Sequence, residues 1–195
     1  MGEECHPIEV EMQPFSEILD TYGVPFYLKI DIEGNDLLCI EALAGRPLPP
    51  FISVEAKVGG AEDELIEAAA LRDLPLLKDV GYRRFKLISQ TDFAPELYSD
   101  AATFARRLVK SVEGGRLRAP GVSRLASRLT NLDRLCRKHR YQFPKGSSGP
   151  WGEGTPGKWL SFEQAKAVYE KVRERRLKSP KLAFWWDWHA TVSPT

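Results

Sequence analysis

The chain has 195 residues, 43% of them hydrophobic and 28% charged, with a formal net charge of +1. This size and composition indicate one globular domain that buries its own core. The apolar runs, such as Leu37–Ile40 and Ala183–Trp186, are far shorter than the roughly 20 residues of a membrane span. The N-terminus MGEECHPIEV has neither the basic nor the apolar region of a secretion signal, so we expect a cytoplasmic protein.

The three cysteines, Cys5, Cys39 and Cys136, are far apart in the chain and form no CxxC pair. An odd number of widely spaced cysteines predicts neither a disulfide framework nor a structural zinc site. We therefore expect no metal site.

The small net charge hides a strong segregation of sign. Residues 1–103 hold 20 acidic and 8 basic residues, residues 104–145 hold 2 acidic and 12 basic, and residues 146–195 hold 5 acidic and 8 basic. The middle segment therefore resembles an insertion of different character. Its basic side chains suit either a polyanionic partner or the acidic remainder of the same domain.

The first half of the chain alternates between predicted strands and helices. Phe15–Tyr22 has the pattern of a short helix with Ile18 and Leu19 directed inward, and Gly23 ends it. The elements that follow are a buried strand over 25–31, a helix over 36–43, a proline-rich link over 45–50, a strand over 51–55, a helix over 62–78 and a strand over 82–88. This order predicts a parallel sheet with covering helices.

The second half departs from that alternation. Residues 96–112 and 122–141 have helical patterns, and the second is a basic amphipathic helix. A loop rich in glycine and proline over 146–157 carries Trp151. Ser161 and Gln164 have the spacing of a capping box, which predicts a helix that reaches about Lys178. An aromatic-rich strand over 182–192 closes the chain, and its tryptophans are expected in the core.

The strongest candidate for chemistry is Lys29-Ile-Asp-Ile-Glu-Gly-Asn-Asp36. Asp31 and Glu33 stand at the carboxyl end of a predicted strand, which is where ligands bind in open α/β sheets. Such carboxylates accept a substrate proton or hold a cation, and Gly34 permits a close approach or a tight turn. The alternative is that both carboxylates only cap the following helix.

Weaker candidates lie elsewhere. Glu55 repeats the strand-end position in the second strand, although such a carboxylate also serves as a cap or ion-pair partner. His189 is a possible base, although a histidine among tryptophans is more often a packed, hydrogen-bonded residue. Ser148 and Trp151 lie in a loop that could cover a substrate, or that could be a plain exposed linker.

The motif at 29–36, with the helix, the proline-rich link and Phe51-Ile-Ser-Val-Glu55 that follow it, resembles the FkbM family of S-adenosylmethionine-dependent methyltransferases. The resemblance covers residues 8–90 best, and residues 96–141 match nothing in the family. It implies a Rossmann-like class I methyltransferase sheet of which this chain holds the fourth to seventh strands. The domain expectation is then a core over 1–95, a basic helical insertion over 96–145, a loop over 146–160, and a closing helix and strand over 161–195.

The resemblance implies an O-methyltransferase acting on a hydroxyl of a small molecule or sugar, with S-adenosylmethionine as cofactor. Asp31 and Glu33 would be catalytic, and Asp31 and Gly34 would contact the cofactor. The substrate candidates are Glu55, Ser148, Trp151 and His189.

In the family, three strands and a glycine-rich cofactor turn come before the segment that residues 8–90 resemble, and this sequence lacks them. We therefore expect a partial chain. The strand over 26–31 would then be an exposed edge prone to self-association. The alternative is a non-enzymatic binding module that uses the basic helix 122–141 to bind a polyanion or a protein partner. Among polyanions, nucleic acid is not the partner that we expect.

Overall fold

The computed structural model describes residues 9–32, 34–56, 58, 72–90, 93–98, 149–178 and 185–193. Within them the chain is an α/β fold built on a four-stranded mixed sheet. The helices are α1 (Phe15–Tyr22), α2 (Asp36–Glu41), α3 (Asp73–Val80) and α4 (Phe162–Lys178). The strands are β1 (Tyr27–Ile30), β2 (Phe51–Ala56), β3 (Arg84–Ser89) and β4 (Trp186–Thr191). None of the helices in these ranges is long and apolar enough to cross a membrane.

The strands lie in the order β1-β2-β4-β3. β1 and β2 are parallel, whereas β4 is antiparallel to both of its neighbours, so the first three strands run in one direction and the last runs against them. The parallel arrangement predicted for the first half of the chain is therefore correct for β1, β2 and β3, and β4, for which no direction was predicted, makes the sheet mixed. Because β4 lies between β2 and β3, residues 186–191 belong to the same sheet as the strands of the first half of the chain.

The predicted boundaries hold where local signals are strong. Gly23, at φ +80°, ends α1 with its N–H donating to the Leu19 carbonyl at 2.9 Å. Gly81, at φ +127°, ends α3 in a similar way. The capping box is present: the Ser161 N–H donates to Gln164 Oε1 at 3.0 Å, and the Gln164 N–H donates to Ser161 Oγ at 3.3 Å. Hydrogen bonds between residues only three or four apart in the chain thus define these helix ends.

Several details differ from the sequence prediction. Leu19 is buried as expected, but Ile18 is 36% exposed because the helix turns it toward solvent. Trp186 and Trp188 lie in the core, whereas Trp185 is 55% exposed. Residues 96–98 are not helical, since the Glu96 N–H donates to the Leu87 carbonyl and continues the edge of β3. The rest of the two predicted helices over 96–112 and 122–141 lies outside the described residues, as does the start of the helix predicted over 62–78.

The core lies on one face of the sheet. Alternate residues of the four strands point to that face, and α2, α3 and α4 pack against it. Trp188 occupies the centre of the sheet and its ring centroid lies 5.9 Å from that of Tyr169 on α4. Apolar alternation with a period of two therefore assigns this face, as expected for a sheet covered by helices.

Candidate functional site

The opposite face of the sheet is polar, and we call it the polar face. Strand register places Lys29, Ser53, His189 and Lys86 side by side in one row that crosses all four strands. Because side chains alternate along a strand, the positions two residues away point to the same face. One flanking row is Tyr27, Phe51, Thr191 and Arg84, and the other contains Glu55, Asp187 and Ile88, with Asp31 just beyond the end of β1.

Three carboxylates meet at one end of the polar face. Asp31 follows β1, and Glu55 on β2 is the register partner of Asp187 on β4. The Asp31 side chain is 50% exposed, whereas that of Asp187 is only 4% exposed. This end is the carboxyl end of the parallel strands β1 and β2, which is the position predicted for Asp31 and Glu55.

The Asp31 side chain makes few polar contacts with the described residues. Within the described part of the chain its carboxylate has one polar neighbour, the Lys29 ammonium, with Nζ 3.7 Å from Oδ2, and it accepts no hydrogen bond. A half-exposed carboxylate with unused oxygens remains free to accept a hydrogen bond, a proton or a cation from outside the protein.

The turn after β1 is held by Asp36 rather than by Asp31. Asp36 Oδ1 accepts a hydrogen bond from the Ile32 N–H at 3.1 Å, and Asp36 is itself buried at the start of α2. Asn35 precedes the helix and makes no side-chain capping bond. Asp31 therefore does not cap α2, contrary to the alternative offered by the sequence. Glu33, its predicted companion, lies outside the described residues.

Gly34 is required by the backbone of this turn. Its φ is +99°, a region that residues with a side chain rarely adopt, and, apart from its chain neighbours, no heavy atom of the described residues lies within 4 Å of the Cβ that another residue would carry. The conformation of the turn alone explains the glycine. The open space beside it leaves room for a group that approaches the backbone.

Lys29 and Asp187 form the buried ion pair of the polar face. Lys29 Nζ lies 2.9 Å from Asp187 Oδ2, and Gln90 Nε2 donates to Asp187 Oδ1 at 2.7 Å. Both carboxylate oxygens of Asp187 are thus engaged. No motif in the sequence singles out Asp187 or Gln90, although the alternation in Trp-Asp-Trp-His places Asp187 on the face opposite the core tryptophans.

His189 is buried in the middle row. Burial, reinforced by the charges of Lys29 and Lys86, lowers its pKa from 6.5 to about 3, so the imidazole is neutral at physiological pH. Among the described residues its Nδ1 finds no hydrogen-bond partner, and His189 is 2% exposed. His189 therefore lies between the two lysines but is not open to solvent.

Lys86 is the second buried cation of the row. Its Nζ donates to the carbonyl and the Oγ1 of Thr155, each at 2.9 Å, and lies 4.1 Å from the centroid of the Trp159 ring. Burial lowers its pKa from 10.5 to about 8, and the charge of Glu153 opposes this shift. Residues 149–160, which we call the strap, thus cross the polar face at Lys86.

The strap places Trp151 at the other end of the sheet. The Trp151 ring stacks on Tyr27 with centroids 5.0 Å apart and an interplanar angle of 12°, and it meets Phe26 edge-on. Tyr27 is four residues from Asp31, which corresponds to about 13 Å along a strand. Trp151 is therefore separated from the carboxylates, and Ser148 lies outside the described residues.

Among the described residues no group of three or more His, Cys, Asp or Glu side chains is arranged to hold a metal ion. Cys39 is a free thiol whose pKa is raised by burial and by the charge of Asp36. Cys5 and Cys136 lie outside the described residues.

Comparisons with known proteins do not identify the chain: no family model matches it, and no curated protein or solved structure is significantly similar to it.

Proposed function

We propose that the chain supplies the carboxylates that face the methyl donor and the acceptor in an S-adenosylmethionine-dependent O-methyltransferase. The observation that carries this proposal is the carboxylate of Asp31, which is half-exposed, accepts no hydrogen bond from the described residues and lies at the carboxyl end of a parallel strand. The α/β sheet and the motif over residues 29–36 support it.

The residues present fit a cationic methyl donor. Asp31 offers an anionic oxygen to an ammonium or sulfonium group, and the turn at Gly34 leaves open space beside its backbone. Among the described residues at this end of the sheet, three carboxylates (Asp31, Glu55 and Asp187) accompany one lysine, Lys29, and this balance of charge favours a cation. When bound, S-adenosylmethionine supplies an activated methyl group on a positively charged sulfur.

The protein's own contribution is alignment and proton transfer. Transfer of a methyl group to a hydroxyl requires that the attacking oxygen be oriented and that its proton be removed. Asp31 has free oxygen lone pairs for that proton, and the hydrogen bond from Ile32 to Asp36 fixes the turn in which it stands. Glu33, two residues further along the motif, is the second candidate for proton transfer.

Isothermal titration calorimetry of the full chain with S-adenosylhomocysteine tests the proposal. We expect a Kd of about 10 µM or tighter, and Asp31→Asn should weaken binding at least about tenfold because a charged contact is lost. Asp79→Asn is the matched control, since Asp79 is an exposed aspartate on α3. A folded chain that binds no ligand, or an Asp31→Asn variant that binds as well as the wild type, would overturn the proposal.

A further inference from the structure

The position of the Lys29 ammonium is unexpected for a lysine two residues from an aspartate on the same strand. Lys29 and Asp31 point to the same face of the sheet and could form a close local pair. Nζ does form an ion pair with Asp31, at 3.7 Å, but it lies closer, at 2.9 Å, to Asp187, which is two strands away. Adjacent strands are about 4.8 Å apart, so the Lys29 side chain reaches across β2 toward β4.

Asp187 is a firmly held acceptor. It lies on β4, whose backbone pairs with β2 on one side and with β3 on the other. Gln90 fixes its second oxygen, and the Gln90 N–H in turn donates to the Trp185 carbonyl at 2.9 Å. Since Asp187 is almost fully buried, its pair with Lys29 is screened by water less than a pair with Asp31 would be.

We propose that Asp187, fixed by Gln90, is a positioning residue: it takes the hydrogen-bonded contact of the Lys29 ammonium, so that Lys29 makes only a longer ion pair with Asp31 and leaves the Asp31 oxygens open to a cationic ligand. The value of this arrangement for the methyl donor rests on the proposed function. Without Asp187 the ammonium would close its 3.7 Å ion pair with Asp31 to a hydrogen bond and occupy the oxygens that a cation needs. Asp187 itself does not touch the ligand.

The first experiment measures Lys29 directly and needs no ligand. The rate at which acetic anhydride modifies Lys29 is followed by peptide mass spectrometry in the wild type, Asp187→Asn and Asp31→Asn, with exposed Lys78 as internal reference. We expect Asp187→Asn to raise the rate about threefold or more, because a half-exposed partner protects an amine weakly. Asp31→Asn should leave the rate nearly unchanged, and the reverse order would overturn the proposal.

The second experiment measures charge selectivity. Affinities for S-adenosylmethionine and for S-adenosylhomocysteine, which lacks the sulfonium charge, are compared by calorimetry. Both ligands carry an ammonium group and only the first carries the sulfonium, so the thioether reports which of the two cations Asp31 faces. Asp187→Asn should weaken binding of the sulfonium compound about threefold at low salt, and the loss should shrink as the salt concentration is raised, since the change at Asp31 is electrostatic. A loss of the same size at every salt concentration would indicate a purely structural role and overturn the proposal.

A double variant covers the case in which Asp187→Asn does not fold. Lys29→Met/Asp187→Asn removes both charges of the buried pair, which is tolerated better than removing one. It should bind S-adenosylmethionine at least as tightly as the wild type, and a loss of affinity in the folded variant would overturn the proposal. If the wild type binds neither ligand, the proposed function fails, and the labelling rates still decide whether Asp187 holds Lys29.

Discussion

The buried amine of Lys86 makes a quantitative prediction about stability and pH. In the folded chain its pKa is lowered to about 8 by burial, against 10.5 for the exposed group. Each pKa unit corresponds to about 1.4 kcal/mol, so the full difference is about 3 kcal/mol. Lys86 is 2% exposed, which leaves little room for solvent to screen the effect.

The sign follows from proton binding. Between pH 8 and pH 10.5 the unfolded chain holds the Lys86 proton more tightly than the folded chain does. The free energy of unfolding therefore rises with pH across this window, and the penalty for burying the charge disappears above it. Lys86→Met removes this contribution, because methionine does not titrate.

The measurement is urea unfolding followed by tryptophan fluorescence at pH 7, 8, 9 and 10. We expect the free energy of unfolding of the wild type, minus that of Lys86→Met, to increase by about 2–3 kcal/mol over this range. Subtracting the variant cancels the titration of the tyrosines, which is common to both proteins. Lys158→Met is the matched control, because Lys158 is an exposed lysine of the same strap. A difference that stays constant from pH 7 to pH 10 would refute the account of Lys86.

Three further predictions concern other parts of the fold. Burial lowers the pKa of His189 to about 3, so the unfolded chain binds the imidazole proton more tightly than the folded chain does. As the pH falls from about 6 toward 3, the free energy of unfolding of the wild type should therefore drop by about 1.4 kcal/mol per pH unit relative to that of His189→Gln. Urea unfolding over that range checks this, and a constant difference between the two proteins would contradict it. Ser161→Ala removes half of the capping box and should cost about 1 kcal/mol in thermal unfolding, whereas a loss below a few tenths would mean that the cap contributes little. Phe26 is 61% exposed beside β1, the first strand in the order of the sheet, and should promote self-association. Light scattering should show a mass that rises with protein concentration for the wild type but not for Phe26→Lys. A wild-type monomer at about 50–100 µM would contradict this.

Within the described residues, the ends of several helices followed from local sequence signals because each signal acts within a few residues. Gly23 and Gly81 end helices through a backbone conformation that glycine adopts at low cost, and Ser161 with Gln164 begins one through two short hydrogen bonds. The expectation failed for Ile18, since a helix of eight residues gives the periodic pattern too few turns to define its inward side precisely.

The candidate site was predictable only in part. A carboxylate at the end of a strand directed attention to Asp31 and Glu55, whereas only the strand register of the structure places His189 on the same face. Asp187 and Gln90 carried no comparable signal. Their importance depends on a lysine 158 residues away from Asp187 in the chain, and no local pattern records such a contact.

The sequence by itself determined the order of helices and strands and which face of each strand is apolar, because both follow from residue type at short spacing. Only the tertiary structure decided that β4 runs antiparallel between β2 and β3, and that choice brings Asp187 within reach of Lys29 and His189 between two lysines. It also separated Trp151 from Asp31 by placing the strap at the amino end of β1. Strand pairing joins residues that are distant in the chain, and it is settled by the free energy of the whole sheet rather than by any single segment.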